Sequence, residues 1–100
     1  MALKRCQVEI VNALGLHLRA AAQFVRLAQQ YRAEVRVARD GMVVDGKSIL
    51  DLATLAAECG TLLVLEASGP DGEMTIAALS ELIESRFGDT DGSHDGAPVR

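Results

Sequence analysis

The hydrophobic pattern of the chain changes period several times, and these changes constrain the fold more than any other feature. Residues 6–11 alternate apolar and polar side chains, as a strand covered on one face requires. Residues 18–31 instead carry an apolar stripe at helical spacing, with polar residues outside it. The first stretch therefore predicts a strand and the second an amphipathic helix.

A hairpin is predicted in the middle of the chain. Residues 33–37 alternate again, and the dipeptide Asp40-Gly41 separates them from the apolar residues 42–44. Because Gly tolerates the positive φ that tight hairpin turns need, this dipeptide predicts two antiparallel strands joined by a short turn.

Two helices and one strand are predicted in the rest of the chain. Ser48 begins a short helix with capping-box spacing, and Gly60 ends the stretch. Residues 62–65 form a continuous apolar run between turn signals, which favours a central strand. Residues 74–87 carry an apolar stripe at helical spacing and predict the last helix.

The resulting order, β-α-β-β-α-β-α, predicts a two-layer α+β fold. Strands with one apolar face need a single cover layer, and every helix has an apolar stripe that can provide it. We therefore expect a four-stranded antiparallel sheet with three helices on one face.

Residues 1–87 are predicted to form one domain. Residues 88–100 have too few apolar side chains to offset the entropy of ordering them, so we predict a disordered tail.

Composition excludes several function classes. A net charge of −4 and only three aromatic residues argue against a nucleic-acid partner, which needs a basic face and rings for stacking. The first fifty residues hold eight Lys or Arg against four Asp or Glu, which either faces an acidic partner or is scattered solvated charge. No apolar run has signal-peptide or membrane-spanning length, so we predict a cytoplasmic protein without a membrane partner.

Cys6 and Cys59 are far apart in the sequence and form no CxxC pair. Both lie in apolar patterns. We therefore predict buried free thiols and neither a disulfide nor a metal site.

The candidate site lies where the first strand gives way to the first helix. Gly15 permits a sharp turn, and His17 stands where the helix begins, beside N–H groups that have no partner within the helix. A neutral imidazole can attack an activated phosphoryl group, and the helix-start N–H groups and Arg19 can hold the added charge. The residues alone leave two alternatives open, namely that His17 is a cap or a solvated side chain and that Arg19 is an ordinary surface charge.

Two motifs resemble those of a known family. Gly15-Leu16-His17-Leu18-Arg19-Ala20-Ala21 is similar to the active-site signature of the HPr family, the phosphocarriers of the phosphoenolpyruvate-dependent phosphotransferase system. Gly46-Lys47-Ser48-Ile49-Leu50 resembles the family's second signature, at the family's spacing. The similarity runs from about residue 5 to 87 and implies an open-faced β-sandwich.

The resemblance also implies a function in sugar transport or its regulation. It implies that His17 takes a phosphoryl group on Nδ1 from phosphorylated enzyme I, that Arg19 helps to hold it, and that an enzyme IIA domain receives it. Such a protein is a carrier and not an enzyme. No metal or bound cofactor is implied.

Position 20 departs from the family pattern, which usually has Pro directly after this Arg. Ala20 is a good helix former and regains an N–H that can bond the phosphate or the cap atoms. The departure bears on the rigidity of the loop, and therefore on the rate and destination of transfer.

Ser48 has two compatible interpretations. The spacing makes it the N-cap of the short helix. The resemblance adds that this Ser is a regulatory phosphorylation site for a dedicated serine kinase in some bacteria. A phosphate at a helix N-terminus is electrostatically favourable, although Asp51 would lie close to it.

The short helix also supplies a candidate partner surface. Ile49, Leu50 and Ala53 cannot all face the core from successive sides of one helix. The resemblance implies that the exposed members form a patch for enzyme I and enzyme IIA, and we expect Leu50 to be exposed.

Two other classes of function fit the sequence. The first is a regulatory binding module whose partner choice depends on phosphorylation of His17 or Ser48. The second is a generic α+β interaction domain, which leaves the two paired motifs unexplained.

Overall fold

The fold consists of one four-stranded sheet and three helices in the predicted order. The computed structural model describes residues 3–89. Its elements are β1 Leu3–Glu9, α1 Leu18–Ala28, β2 Glu34–Arg39, β3 Met42–Asp45, α2 Ile49–Thr54, β4 Leu62–Ser68 and α3 Gly72–Glu84, followed by a 3₁₀ turn at Arg86–Gly88. The predicted α+β class and element order are therefore confirmed.

The sheet has the strand order β1-β4-β2-β3, and all neighbours are antiparallel. The apolar strand β4 lies inside the sheet, as its continuous hydrophobic run predicts. It pairs with β1 from Leu3↔Ser68 to Glu9↔Leu62, which explains why β1 begins earlier than its alternation alone predicts. The hairpin between β2 and β3 turns at Asp40 and Gly41, with φ of 50° and 86°.

All three helices cover one face of the sheet. The inward side chains of the strands, such as Val8, Val37 and Leu65, pack in one core with Phe24 of α1 and Ile83 of α3. The core is aliphatic apart from Phe24 and Phe87, in keeping with the few aromatic residues of the chain.

The other face of the sheet bears a row of alternating charge. Cross-strand pairing joins Arg5 to Glu66, Glu66 to Arg36, and Arg36 to Asp45. Arg5 and Glu66 form an ion pair of 2.7 Å.

A carboxylate at the start of α3 holds the turn between α1 and β2. Asp71 accepts backbone hydrogen bonds of 2.8 Å from Arg32 and 2.8 Å from Ala33. The Arg32 N–H lowers the pKa of Asp71 most; partial burial raises it, the Ala33 N–H lowers it further, and the net pKa lies below its ordinary value.

The structure corrects one prediction about the cysteines. Both thiols are free, but Cys59 is exposed and Cys6 is only partly buried, with its Sγ 3.2 Å from Oγ of Ser80. Cys59 lies outside the core because α2 ends at Thr54 and Ala56 has a φ of 50°, so Cys59 belongs to the loop before β4.

The end of the described chain lies beyond the predicted domain boundary at residue 87. Gly88 and Asp89 are part of the described structure, and Asp89 contacts the candidate site. Residues 90–100 of the predicted tail lie outside the described residues. Between residues 3 and 89, no helix has the length and hydropathy needed to cross a membrane.

Candidate functional site

The loop between β1 and α1 is tied to the segment after α2. Gly15 has a φ of +72°, and a Cβ on it would lie 2.6 Å from the carbonyl oxygen of Ala57. Leu16 donates its N–H to that same oxygen across 2.8 Å. Only glycine satisfies both the backbone conformation and the close approach, so this residue determines where the next residues lie.

His17 is the N-cap of α1. Its backbone is extended, with φ −72° and ψ 175°, and its carbonyl accepts the N–H of Ala21 across 2.8 Å. The side-chain Nδ1 accepts the N–H of Ala20 across 3.3 Å. The predicted position of His17 at the helix start is confirmed, and the residue also has the capping role that the sequence left open.

Asp89, 72 residues after His17 in the sequence, completes the site. Its Oδ2 lies 3.0 Å from Nε2 of His17 and 3.0 Å from Nδ2 of Asn12. Its Oδ1 lies 3.2 Å from Nη2 of Arg19. The composition of residues 88–100 predicts a tail, so the sequence pattern does not identify Asp89 as a site residue. The available signal was Phe87, the last large apolar residue, which is buried and holds the chain against the core up to this point.

The partners of His17 allow us to assign its neutral tautomer. The side chain of Asp89 is 6% exposed. Burial raises the pKa of Asp89, but hydrogen bonds from His17, Asn12 and Arg19 outweigh this and lower the pKa below its ordinary value. An ionised carboxylate only accepts, and the N–H of Ala20 only donates. Neutral His17 therefore carries its proton on Nε2 and its lone pair on Nδ1.

Arg19 and Asn12 both donate hydrogen bonds to Asp89, but Arg19 is exposed and Asn12 is buried. Arg19 lies at the site, as predicted, but its guanidinium bonds Asp89 while 68% of its side chain remains exposed. Asn12 is fully buried and donates from Nδ2 to the carbonyl of Gly15 across 2.8 Å as well as to Asp89. No pattern in the sequence predicts a role for Asn12.

The second motif forms the start of α2. Ser48 is the N-cap, and its Oγ accepts the N–H of Asp51 across 3.1 Å, which confirms the predicted cap. Leu50 is 79% exposed, as expected, whereas Ile49 is partly buried. Ala53 is exposed as well.

Exposed leucines also flank His17. Leu14 and Leu18 are 66% and 69% exposed. The sequence pattern does not predict this, because Leu18 lies in the apolar stripe of the first helix. Leu14 lies in the loop before α1 and Leu18 is the first residue of α1, the helix that packs against α2, which carries Leu50. Among residues 3–89, no three His, Cys, Asp or Glu side chains lie close enough together to hold a metal ion.

Comparison with known proteins identifies the family. The family model described as "PTS HPr component phosphorylation site" matches residues 4–85. The phosphocarrier protein HPr of Pseudomonas aeruginosa is 48% identical over 82 residues, which cover 81% of this chain and 91% of the relative. The HPr of Neisseria meningitidis serogroup B is 44% identical over 82 residues, which cover 82% and 92%.

Solved structures agree with this assignment. HPr-C-His from Thermoanaerobacter tengcongensis has a TM-score of 0.84 and 40% identity, over 87% of this chain and 98% of that one. A phosphocarrier protein HPr from Bacillus anthracis has a TM-score of 0.80 and 30% identity, over 83% and 99%. The chain therefore belongs to the HPr family of phosphocarrier proteins of the phosphotransferase system.

Proposed function

We propose that this chain accepts a phosphoryl group on Nδ1 of His17 from phosphorylated enzyme I and passes it to an enzyme IIA domain. The observation that carries the proposal is the pair of hydrogen bonds on the imidazole. Asp89 accepts a hydrogen bond from the N–H at Nε2, and Ala20 donates its N–H to Nδ1, so the lone pair lies on Nδ1 at a helix N-terminus. Such a terminus favours the anionic group that transfer would bring.

The transfer needs no other reactant. The lone pair of Nδ1 attacks phosphorus, the new N–P bond forms, and the bond from phosphorus to the donor breaks with its electron pair remaining on the donor. The proton on Nε2 stays in place. Ala20 then donates its N–H, and Arg19 its guanidinium, to the phosphoryl oxygens. The reverse sequence delivers the group to the acceptor, so the protein acts as a carrier and not as an enzyme.

The proposed partner surface consists of the exposed leucines Leu14, Leu18 and Leu50 together with Ile49 and Ala53. Exposed leucines of this kind are typical of docking surfaces. We propose that enzyme I and enzyme IIA contact it in turn, in the cytoplasm.

Ser48 is the proposed regulatory position, as a substrate of a serine kinase. Ser48 is half-buried and its Oγ accepts the N–H of Asp51, so a phosphate there would lie at the N-terminus of α2. The carboxylate of Asp51 accepts the N–H of Asp45 across 3.2 Å and is therefore engaged with β3. A phosphate on Ser48 would add charge beside Leu50 and weaken docking to an acidic partner surface.

The test is incubation with phosphoenolpyruvate and enzyme I. We expect an acid-labile, base-stable phosphate that His17→Ala abolishes. His94→Ala is the matched control, since His94 is the other histidine of the chain, and it should keep the label. A label that survives in His17→Ala, or no label on the wild-type chain, contradicts the proposal.

A regulatory binding module is the second candidate. The observation in its favour is the hydrogen bond from Ala20, which occupies the Nδ1 lone pair at rest and which the family's usual Pro could not make. Phosphorylation of His17 without onward transfer to sugar-type or nitrogen-type enzyme IIA domains would support this alternative. Onward transfer to either would support the carrier.

A further inference from the structure

We propose that Asp89 is a positioning residue for phosphoryl acceptance, holding the proton of His17 on Nε2 so that Nδ1 remains the nucleophile. The proposal rests on the proposed function, because it assigns a role within that reaction. The proposal also assigns a role to Asn12, a buried residue whose side chain holds the Asp89 carboxylate in place.

The side chain of Asp89 is held in place by specific hydrogen bonds. Its side chain is 6% exposed, and it receives hydrogen bonds from residues in the loop after β1 and in the first turn of α1. The two oxygens have different partners. Oδ2 accepts from the buried Asn12 and the partly buried His17, whereas Oδ1 accepts from the solvent-exposed guanidinium of Arg19.

Asn12 can hold the carboxylate in only one way. Its Nδ2 donates to the carbonyl of Gly15 and to Asp89, and a flipped carboxamide would set its oxygen against both of these acceptors. Within residues 3–89, its Oδ1 is buried without a hydrogen-bond partner. An unsatisfied buried oxygen is destabilising, and the fold keeps Asn12 where Nδ2 orients Asp89.

The backbone before Asp89 has a strained conformation that reverses the chain and places the Asp89 side chain beside His17. Arg86, Phe87 and Gly88 all have positive φ, of 64°, 55° and 74°. Two of these residues are not glycine, and a left-handed conformation is unfavourable for them. It persists because Phe87 is anchored in the core, 2% exposed, and the chain reverses directly onto the imidazole.

The contact matters more during transfer than at rest. When Nδ1 forms its bond to phosphorus, the ring loses electron density and the N–H on Nε2 becomes a stronger donor. A carboxylate already in place then stabilises the transition state more than the resting protein, without taking the proton. Removal of the carboxylate therefore slows acceptance.

Two substitutions separate positioning from charge. In Asp89→Asn, the amide oxygen can still accept from His17 and Asn12, while its NH₂ group faces Arg19 and loses that contact. In Asp89→Ala all three contacts are lost. Asp40→Asn is the matched control, since Asp40 is 90% exposed at the hairpin turn, outside the site.

Two measurements are made on each variant: the initial rate of phosphoryl uptake from enzyme I, and the ¹⁵N-resolved resonance of the proton on Nε2. In the wild type and in Asp40→Asn we expect this proton to exchange slowly with water and the lone pair to lie on Nδ1. Asp89→Ala should lose the slow exchange and take up phosphate about tenfold more slowly or worse, in line with a lost hydrogen bond to a charged group. Asp89→Asn should keep the protected proton and take up phosphate at a rate between those of the wild type and Asp89→Ala, because its amide oxygen accepts the hydrogen bond but carries no charge.

Wild-type uptake in Asp89→Ala overturns the proposal. So does an Nε2 proton that exchanges as fast in the wild type as in that variant, or a rate in Asp89→Asn as slow as in Asp89→Ala. If the wild type takes no phosphoryl group on His17, the proposed function fails, and the resonance comparison still decides whether Asp89 holds the proton.

Discussion

The backbone N–H of Ala20 bonds Nδ1 of His17 across 3.3 Å, so the nitrogen proposed to accept the phosphoryl group is also the atom that caps α1. The lone pair that caps the helix is the one that would attack phosphorus. When it is used for the new bond, the N–H of Ala20 needs another acceptor, and a phosphoryl oxygen supplies one.

The first prediction concerns Ala20→Pro, which removes that N–H. The first turn of a helix tolerates Pro, because its N–H groups have no partner within the helix. We expect His17 to be phosphorylated to the same final extent as in the wild type, measured by the acid-labile label. Ala22→Pro is the control, two residues deeper in α1, where Pro should cost about 3 kcal/mol of stability. Loss of transfer in Ala20→Pro would contradict the observed start of α1.

The second prediction concerns Gly15→Ala. The substitution forces a left-handed alanine and sets its Cβ against the carbonyl of Ala57, so we expect a loss of about 2 kcal/mol or more in urea unfolding, with slower phosphorylation of His17. Gly41→Ala separates the two causes, because Gly41 also has a positive φ but nothing lies within 4 Å of its added Cβ. Equal losses in the two variants would show that the contact with Ala57 contributes nothing.

The third prediction concerns Leu50→Ala. Because Leu50 is 79% exposed, its truncation should change the free energy of unfolding by no more than about 0.5 kcal/mol. Binding to enzyme I should weaken on the order of tenfold if Leu50 is a central contact, as measured by calorimetry or by the concentration dependence of uptake. Met74→Ala on α3, where Met74 is 65% exposed, should leave binding unchanged. Equal binding by the two variants would exclude Leu50 from the partner surface.

The fourth prediction concerns Ser48→Ala. Loss of the N-cap of α2 should destabilise the protein by about 1 kcal/mol, while the rate of His17 phosphorylation stays unchanged. Ser48→Asn, which keeps a capping side chain without added charge, should restore most of the stability in denaturant unfolding. If Ser48→Asn is as unstable as Ser48→Ala, the hydrogen bond to Asp51 is not the source of the effect.

The fifth prediction concerns acid stability. The folded-state pKa of Asp71 lies below its ordinary value of 3.8, so the ionised carboxylate favours the folded state. This stability is present above the ordinary pKa and is lost as the pH falls through the folded pKa. The pKa of Asp89 is lowered too and acts with the same sign.

Asp71→Asn tests this directly. It should be less stable than the wild type at neutral pH, and its stability should change less as the pH falls from about 6 to about 2 in denaturant titrations. Asp40→Asn serves as the control at an exposed turn and should follow the wild-type curve. If the stability of Asp71→Asn falls with pH in parallel with that of the wild type, Asp71 does not contribute to the loss of stability in acid.

Local patterns were sufficient for the parts of the fold that local contacts determine. Alternation and helical spacing predicted the element order, the dipeptide Asp40-Gly41 predicted the hairpin, and capping-box spacing predicted Ser48 as an N-cap. His17 could be located for the same reason, because a turn glycine and a helix start are both local signals.

Asp89 could not be located in this way. It meets His17 across 72 residues, and its neighbours Gly88 and Asp91 have the composition of a solvated tail. Only the left-handed reversal at residues 86–88 brings it back, and an Arg-Phe pair carries no sequence signal for that conformation. The exposure of Cys59 was missed for a related reason, since nothing in the sequence marks Ala56 as the left-handed residue after α2.

The reversal after α3 has a consequence for how proteins of this design can vary in length during evolution. Helix α3 has 13 residues, and one inserted residue would turn everything beyond it by about 100° around the helix axis. Asp89 would then leave His17, although every residue around His17 itself was unchanged. An insertion at the solvent-exposed Asp40-Gly41 turn leaves this geometry unchanged, whereas an insertion in α3 separates the carboxylate from the imidazole.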